Sequence, residues 1–236
     1  LLAKVFGPGG DYNLNHSDEH WGLASGSVLE AVMVVYRATG EKRYLDFATH
    51  IVKHYWEINA SLQPRILPVL RHGWPIKDIG MGKAYEMISC FVGLLEYYRC
   101  TGEEEYLRLL IDARDRMAAL LGAKPHEIIF TGGGTEADNL AVIGLARQRV
   151  REEGAEPHLI VSSVEHHAVL HAAEFLEARE GFRLTRLPVD RSGRVDPDAL
   201  RAVLTPRTAL VSILSANNET GVIQPVTELA ALCREA

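Results

Sequence analysis

Short strand-like and helix-like segments alternate along the second half of the chain, and this alternation limits its fold more than any other feature. The predicted strands are the mainly apolar runs 127–130, 158–161, 182–188 and 209–214, with helical patterns between them. A nearly continuous apolar run such as Ala209–Leu214 is typical of a strand that is covered on both faces. Strands that alternate with helices build parallel sheets. We therefore predict a partial α/β domain with a parallel sheet over residues 111–236.

The first half of the chain shows a different pattern, in which helices are joined by tight turns. Residues 36–45 (YRATGEKRYL) are echoed by residues 98–107 (YRCTGEEEYL). The repeat indicates a helix–turn–helix unit that uses glycine in a left-handed turn. Repeated hairpins of this kind build α/α solenoids and toroids. We predict an α-hairpin, toroid-like domain over residues 1–110, with a long loop at residues 57–82.

The two patterns meet inside one uninterrupted helical stretch, residues 103–121. Domain borders usually lie in exposed, turn-rich linkers. A border within a helix therefore predicts a fusion of two fragments, 1–110 and 111–236. The chain does not begin with methionine, and we interpret its N-terminus as a cut edge.

Composition argues against several classes of partner. The net charge of −6 disfavours nucleic acid and anionic membranes, and no apolar run is long enough to cross a bilayer. The three cysteines, at unrelated spacings, match neither a disulfide framework nor a zinc ribbon. We expect a cytoplasmic protein without a metal site.

A glycine-rich segment carries the strongest functional signal. Residues 130–139 (FTGGGTEADN) lie between a predicted strand and a predicted helix. Glycines let the backbone approach an anion closely, and the N–H groups and dipole at a helix start favour a phosphate. Thr135 could cap the helix or donate its hydroxyl to that phosphate. The alternative is an ordinary glycine-rich turn with a threonine cap.

Four segments of the second half resemble cysteine desulfurases, which are class V aminotransferases among the fold-type I pyridoxal-phosphate (PLP) enzymes. They are LLGAKPHEIIFTGGGTEADNLAV, SSVEHHAVLHAAEFLE, VDRSGRVDPDAL and VSILSANNETGVIQPV. The resemblance implies that Gly134 and Thr135 bind the PLP phosphate. It also implies that His166 stacks on the pyridine ring and that Asn218 lies beside the phenolic oxygen. The alternatives are a polar helix-start residue for His166 and a turn residue for Asn218.

The same resemblance implies residues that the 236 positions do not contain. The lysine that holds the cofactor, the aspartate that pairs with the pyridine nitrogen and the cysteine that accepts sulfur would follow Ala236. Lys124 is the only lysine after residue 111 and matches none of them, and Cys233 is interpreted as a core residue. We expect a catalytically incomplete chain, although family members act on L-cysteine and place their active sites at a homodimer interface.

Two segments of the first half, VLEAVMVVYRATGEKRYLDFATHIV and GKAYEMISCFVGLLEYYRCTGEEEYL, resemble the β-L-arabinofuranosidase family of α/α-barrel glycoside hydrolases. We interpret Cys90 and Cys100 as helical core residues and Glu86 as a helix-surface carboxylate. Residues 16–20 (HSDEH) fit a zinc-peptidase pattern, but we predict a polar cleft-edge segment there. Three hypotheses follow: a PLP-binding desulfurase-like remnant, a glycosidase-like fragment, and a non-functional fusion.

Overall fold

In the computed structural model the described residues are 4, 7–10, 26–57, 66–82 and 84–236. The chain divides into two compact units, Leu1–Gly133 and Gly134–Ala236. The border predicted near residue 110 lies within a helix of the first unit, and the independence of the segments 1–110 and 111–236 stays a prediction.

Helices make up the described part of the first unit. They are α1 (Leu29–Thr39), α2 (Lys42–His50), a π-helical turn (Ile51–Tyr55), α3 (Ile66–His72), a 3-10 helix (Ile76–Gly82), α4 (Ala84–Thr101), α5 (Glu104–Leu121) and a 3-10 turn (Pro125–Glu127). The long loop predicted over residues 57–82 is therefore wrong, because α3 and the 3-10 helix occupy much of it. Ile66, Leu67, Val69 and Leu70 of α3 are buried in the core, and Pro68 is tolerated because it lies in the first turn of the helix.

The two repeated hairpins have the same local structure. Gly40 follows α1 with φ of 68°, and Gly102 follows α4 with φ of 72°. Each glycine N–H donates to a tyrosine carbonyl at 2.7 Å, that of Tyr36 in one hairpin and that of Tyr98 in the other. A positive φ favours glycine because it has no Cβ. The predicted helix–turn–helix repeat is confirmed, whereas the toroid stays a prediction.

The helices α1 and α4 approach each other closely at Gly93. A Cβ atom at this position would lie 2.9 Å from the backbone nitrogen of Glu30 and 3.0 Å from Cβ of Leu29. These distances are shorter than an ordinary van der Waals contact, so the crossing requires glycine. Buried aromatic side chains fill the core beside this crossing, among them Phe91, Tyr97 and Tyr106.

The second unit alternates helices and strands. Its elements are α6 (Gly134–Asn139), a π-helical turn (Leu140–Gly144), α7 (Leu145–Glu153), β1 (Glu156–Ser162), α8 (His167–Glu180), β2 (Arg183–Leu187), α9 (Pro197–Val203), β3 (Thr208–Ser212) and α10 (Val226–Glu235). The strands form a parallel sheet in the order β2-β1-β3.

Side chains of the central strand alternate between two apolar clusters. Leu159 and Val161 pack with residues of α7 and α8, and Ile160 packs with residues of α9 and α10. A period of two places successive side chains on opposite faces of a sheet, so helices cover both faces here. The predicted parallel sheet with alternating helices is confirmed, whereas the bounds 111–236 of the predicted domain stay a prediction.

The strand predicted at residues 127–130 is wrong. Residues 128–131 join no strand of the described sheet, although Ile128 has extended backbone angles (φ −98°, ψ 123°). The segment is held instead by α4: the ring of Phe130 lies 5.3 Å from that of Phe91, and the Ser89 hydroxyl donates to the Gly132 carbonyl at 3.1 Å. Only Phe130 of this run packs on the helical core, whereas Ile129 is exposed, so the apolar pattern predicted both a strand and a burial that the run as a whole does not have.

Candidate functional site

Helix α6 begins at the glycine-rich segment. Gly134 is its first residue, and a Cβ atom added there would meet no atom within 4 Å. The first N–H groups of a helix lack partners within the helix, and the helix dipole places partial positive charge there. The space beside Gly134 is therefore open and suited to an anion.

Thr135 is the second residue of α6 and is exposed. A helix cap precedes the first helical residue, so the expectation that Thr135 caps the helix is wrong. Its carbonyl accepts a hydrogen bond from the Asn139 amide at 2.7 Å. Within the described part of the chain its hydroxyl has no hydrogen-bond partner, which leaves that group available to a ligand.

His166 is exposed and caps helix α8. Its Nδ1 atom accepts a hydrogen bond from the backbone N–H of Ala168 at 3.1 Å. An accepting Nδ1 carries no proton, so the neutral ring carries its proton on Nε2. The alternative predicted from sequence, a polar helix-start residue, thus describes its structural role. The same hydrogen bond fixes the ring orientation while the ring stays open to solvent.

The two asparagines after β3 have different environments. Asn217 builds the turn: its Oδ1 accepts from the N–H groups of Glu219 and Thr220, both at 2.9 Å, and its Nδ2 donates to the Val164 carbonyl at 3.0 Å. Asn218 is exposed, and its side chain makes no hydrogen bond within the residues described. The turn role that sequence allowed for Asn218 therefore belongs to Asn217, and the amide of Asn218 is available.

A buried carboxylate that the sequence analysis missed lies next to His166. Oε1 of Glu165 accepts hydrogen bonds at 2.7 Å from the Ser162 hydroxyl and from the N–H of Leu214. Burial raises the pKa of Glu165, and the negative charge of Asp138 raises it further. Leu214 is 49 residues away in sequence, so no local pattern could have indicated this contact.

The sheet brings the loops of His166 and Asn218 together. His166 follows the carboxyl end of β1 and Asn218 that of β3, and these strands are parallel neighbours. Helix α6, which Gly134 and Thr135 begin, packs against α8. Open α/β sheets bind ligands outside the carboxyl ends of their strands. That Gly134 and Thr135 form one site with His166 and Asn218 stays a prediction.

Two sequence interpretations are corrected here. Cys233 is exposed on α10 and is not a core residue, and Glu86 is buried rather than on the surface of α4. Of the predicted core cysteines, Cys90 is buried and Cys100 is half-buried. The buried side chain of Gln224 accepts a hydrogen bond from the Val195 N–H at 2.8 Å and donates one to the Gly193 carbonyl at 2.7 Å, so its role is structural.

Two expectations concern metals and membranes. The His-x-x-Glu-His pattern at residues 16–20 lies outside the described residues. Among the residues described, no three histidine, cysteine, aspartate or glutamate side chains form a group that could hold a metal ion. In the same part of the chain, no helix combines the length and the apolar character that a membrane crossing requires.

Comparison with known proteins finds relatives that are all cysteine desulfurases among those described below. The sequence is 50% identical over 124 residues to the cysteine desulfurase IscS of Dictyoglomus turgidum. The matched segment is 52% of this chain and 30% of that protein. It is 48% identical over 122 residues to a cysteine desulfurase of Rattus norvegicus, covering 51% of this chain and 26% of the relative. The chain thus spans about a third or less of the length of these curated relatives.

A solved structure and a family description agree with these relatives. The crystal structure of DndA from Streptomyces lividans superposes with a TM-score of 0.52 at 38% identity, covering 64% of this chain and 43% of DndA. The sequence model of the aminotransferase class-V family matches residues 101–236, which is more than half of the chain. The chain therefore belongs to the aminotransferase class-V family.

Proposed function

We propose that residues 111–236 supply the phosphate- and ring-binding part of a PLP-dependent, cysteine desulfurase-like site. The observation that carries this proposal is the start of α6. Open space beside Gly134 and a Thr135 hydroxyl without a hydrogen-bond partner among the described residues meet the needs of a phosphate, in a chain of the class V family. The residues present therefore fit the phosphate end of the cofactor.

Each of the four residues has a proposed role. Gly134 allows the backbone to approach the phosphate, and the Thr135 hydroxyl donates a hydrogen bond to it. The ring of His166, oriented by its bond to Ala168, stacks on the pyridine ring. The Asn218 amide donates to the phenolic oxygen. PLP, when bound, supplies an electron sink for bond breaking beside the substrate amino group.

The relatives are cysteine desulfurases, which supports L-cysteine as the substrate, and we propose a homodimer in the cytoplasm. We also propose that the 236 residues alone do not catalyse the conversion of L-cysteine. Their single lysine after residue 111, Lys124, is exposed and precedes a 3-10 turn in the first unit, and PLP enzymes of this kind require a lysine.

A binding experiment tests the phosphate site. Pyridoxamine 5′-phosphate is the probe, because it has no aldehyde and cannot react with surface lysines. Titration followed by its fluorescence should show that Thr135→Ala weakens binding by about 10-fold or more, the value of a hydrogen bond to a charged group. Thr227→Ala is the matched control, because Thr227 is also exposed and second in its helix.

Two results would contradict the proposal. One is equal affinity of the Thr135→Ala and Thr227→Ala variants. The other is equal affinity for pyridoxamine with and without its phosphate, which would exclude a phosphate site.

A product assay tests whether the 236-residue chain is catalytically incomplete. The 236-residue chain is incubated with PLP and L-cysteine, and alanine and sulfide are measured. We expect neither product, and turnover that survives removal of free PLP would disprove the statement. Hydrolysis of arabinosides tests the glycosidase alternative, and protease resistance with cooperative melting tests the non-functional fusion.

A further inference from the structure

We propose that Glu165 is a positioning residue, whose buried carboxylate holds the loops of His166 and Asn218 in one fixed arrangement. This inference rests on the proposed function, because it concerns how the ring-binding half of the same site is assembled.

The hydrogen bonds of Glu165 join two strand ends. One oxygen accepts from Ser162, the last residue of β1, and from Leu214, two residues after β3 ends. His166 is the next residue after Glu165, and Asn218 lies four residues after Leu214. Movement of either loop would break a bond at 2.7 Å in a buried place, where an unsatisfied polar group costs about 1–3 kcal/mol.

Other roles for this side chain fit the contacts less well. A glutamate near a helix start commonly caps the helix or stabilises its dipole. Here the cap of α8 is His166 itself, and the Glu165 carboxylate extends to the neighbouring strand instead. Within the described residues no cation is paired with it, so its geometry favours a connection between loops rather than an ion pair.

The negative charge of Glu165 is not required for this role. The two donors contact a single oxygen, Oε1, and the side-chain carbonyl of glutamine could accept both bonds. Glu165→Gln should therefore preserve the arrangement, and Glu165→Ala should lose it. A second connection, from Asn217 Nδ2 to the Val164 carbonyl, remains in either variant and favours retention of the fold.

The experiment separates the two ends of the ligand. Pyridoxamine 5′-phosphate would contact both parts of the proposed site. Its phosphate would bind at Gly134 and Thr135, and its ring would bind at His166 and Asn218. Inorganic phosphate, measured as its competitor, would contact only the phosphate-binding part. We expect Glu165→Ala in the 236-residue chain to weaken binding of pyridoxamine 5′-phosphate by about 10-fold and to leave the inhibition constant of inorganic phosphate unchanged.

Two variants serve as controls in this experiment. Glu165→Gln should bind within about 2-fold of the unchanged chain, since it keeps both hydrogen bonds. Glu177→Ala removes an exposed glutamate from the outer face of α8 and should have no effect. If Glu165→Ala does not fold, Ser162→Ala replaces it, because it removes one of the two bonds and should weaken binding by about 3-fold or more.

The outcomes are distinct. The inference is overturned if Glu165→Ala, or Ser162→Ala in its place, binds pyridoxamine 5′-phosphate as the unchanged chain does. Equal weakening for pyridoxamine 5′-phosphate and inorganic phosphate also overturns it, because general destabilisation would act on both. Failure of the proposed function would give a different result: the chain without substitutions would not bind pyridoxamine 5′-phosphate at all.

Discussion

His158 should make the stability of the second unit fall in mild acid. It lies in the central strand with 1% of its surface exposed. Its ring bridges the neighbouring strands, with Nδ1 at 3.2 Å from the Thr208 hydroxyl and Nε2 at 2.9 Å from that of Thr185. Burial lowers the pKa of His158, and the positive charge of Arg183 lowers it further.

The sign and size of the effect follow from proton linkage. The unfolded chain begins to bind a proton at His158 near pH 6.5, the ordinary histidine value, whereas the folded chain does not until a lower pH. Stability rises with pH wherever the unfolded state binds more protons. The free energy of unfolding should therefore decrease as the pH falls below 6.5, by at most about 1.4 kcal/mol per pH unit for this one group.

Urea unfolding between pH 5 and pH 8 measures this slope, with circular dichroism as the signal. The comparison is between the unchanged chain and His158→Gln, whose slope should be smaller below pH 6.5. His50, whose pKa is also lowered by burial, contributes equally to both chains and cancels. The control His171→Gln removes an exposed histidine of α8 and should keep the full slope. Equal slopes for the unchanged chain and His158→Gln would refute the reasoning.

Three further predictions concern packing, the site and exposure. Gly93→Ala should lower the free energy of unfolding by about 1–3 kcal/mol because a Cβ atom would collide with α1, whereas Gly144→Ala, whose Cβ has room, should change it by less than about 1 kcal/mol in denaturant unfolding. Asn217→Ala should lower the melting temperature because it removes the side chain that builds the turn. Asn218→Ala should leave the melting temperature unchanged and weaken pyridoxamine 5′-phosphate binding. A lower melting temperature for Asn218→Ala, with weaker binding for Asn217→Ala, would exchange their roles. Cys233 should react with a thiol reagent in the folded chain, because it is exposed, and mass mapping that finds it unlabelled before unfolding would contradict its placement.

Local patterns determined much of this protein from sequence alone. The glycines that end α1 and α4 were recognisable because a left-handed residue after a helix favours glycine wherever it occurs. The alternation of apolar strands and amphipathic helices predicted the parallel sheet, since parallel strands need helical connections. The glycine-rich helix start, for which we propose phosphate binding, was equally visible, because closely spaced glycines before a helix are a local feature.

Tertiary contacts decided the remaining features. In the apolar run at residues 127–130, Phe130 packs on Phe91 of α4 and Ile129 is exposed, because an apolar pattern specifies neither the packing partner nor that every residue is buried. Cys233 is exposed although its neighbour Leu232 is buried, because successive helical residues point in directions about 100° apart. Glu165 receives its role from Leu214, a residue distant in sequence. Sequence shows which groups need partners, and only the folded chain determines which distant groups meet them.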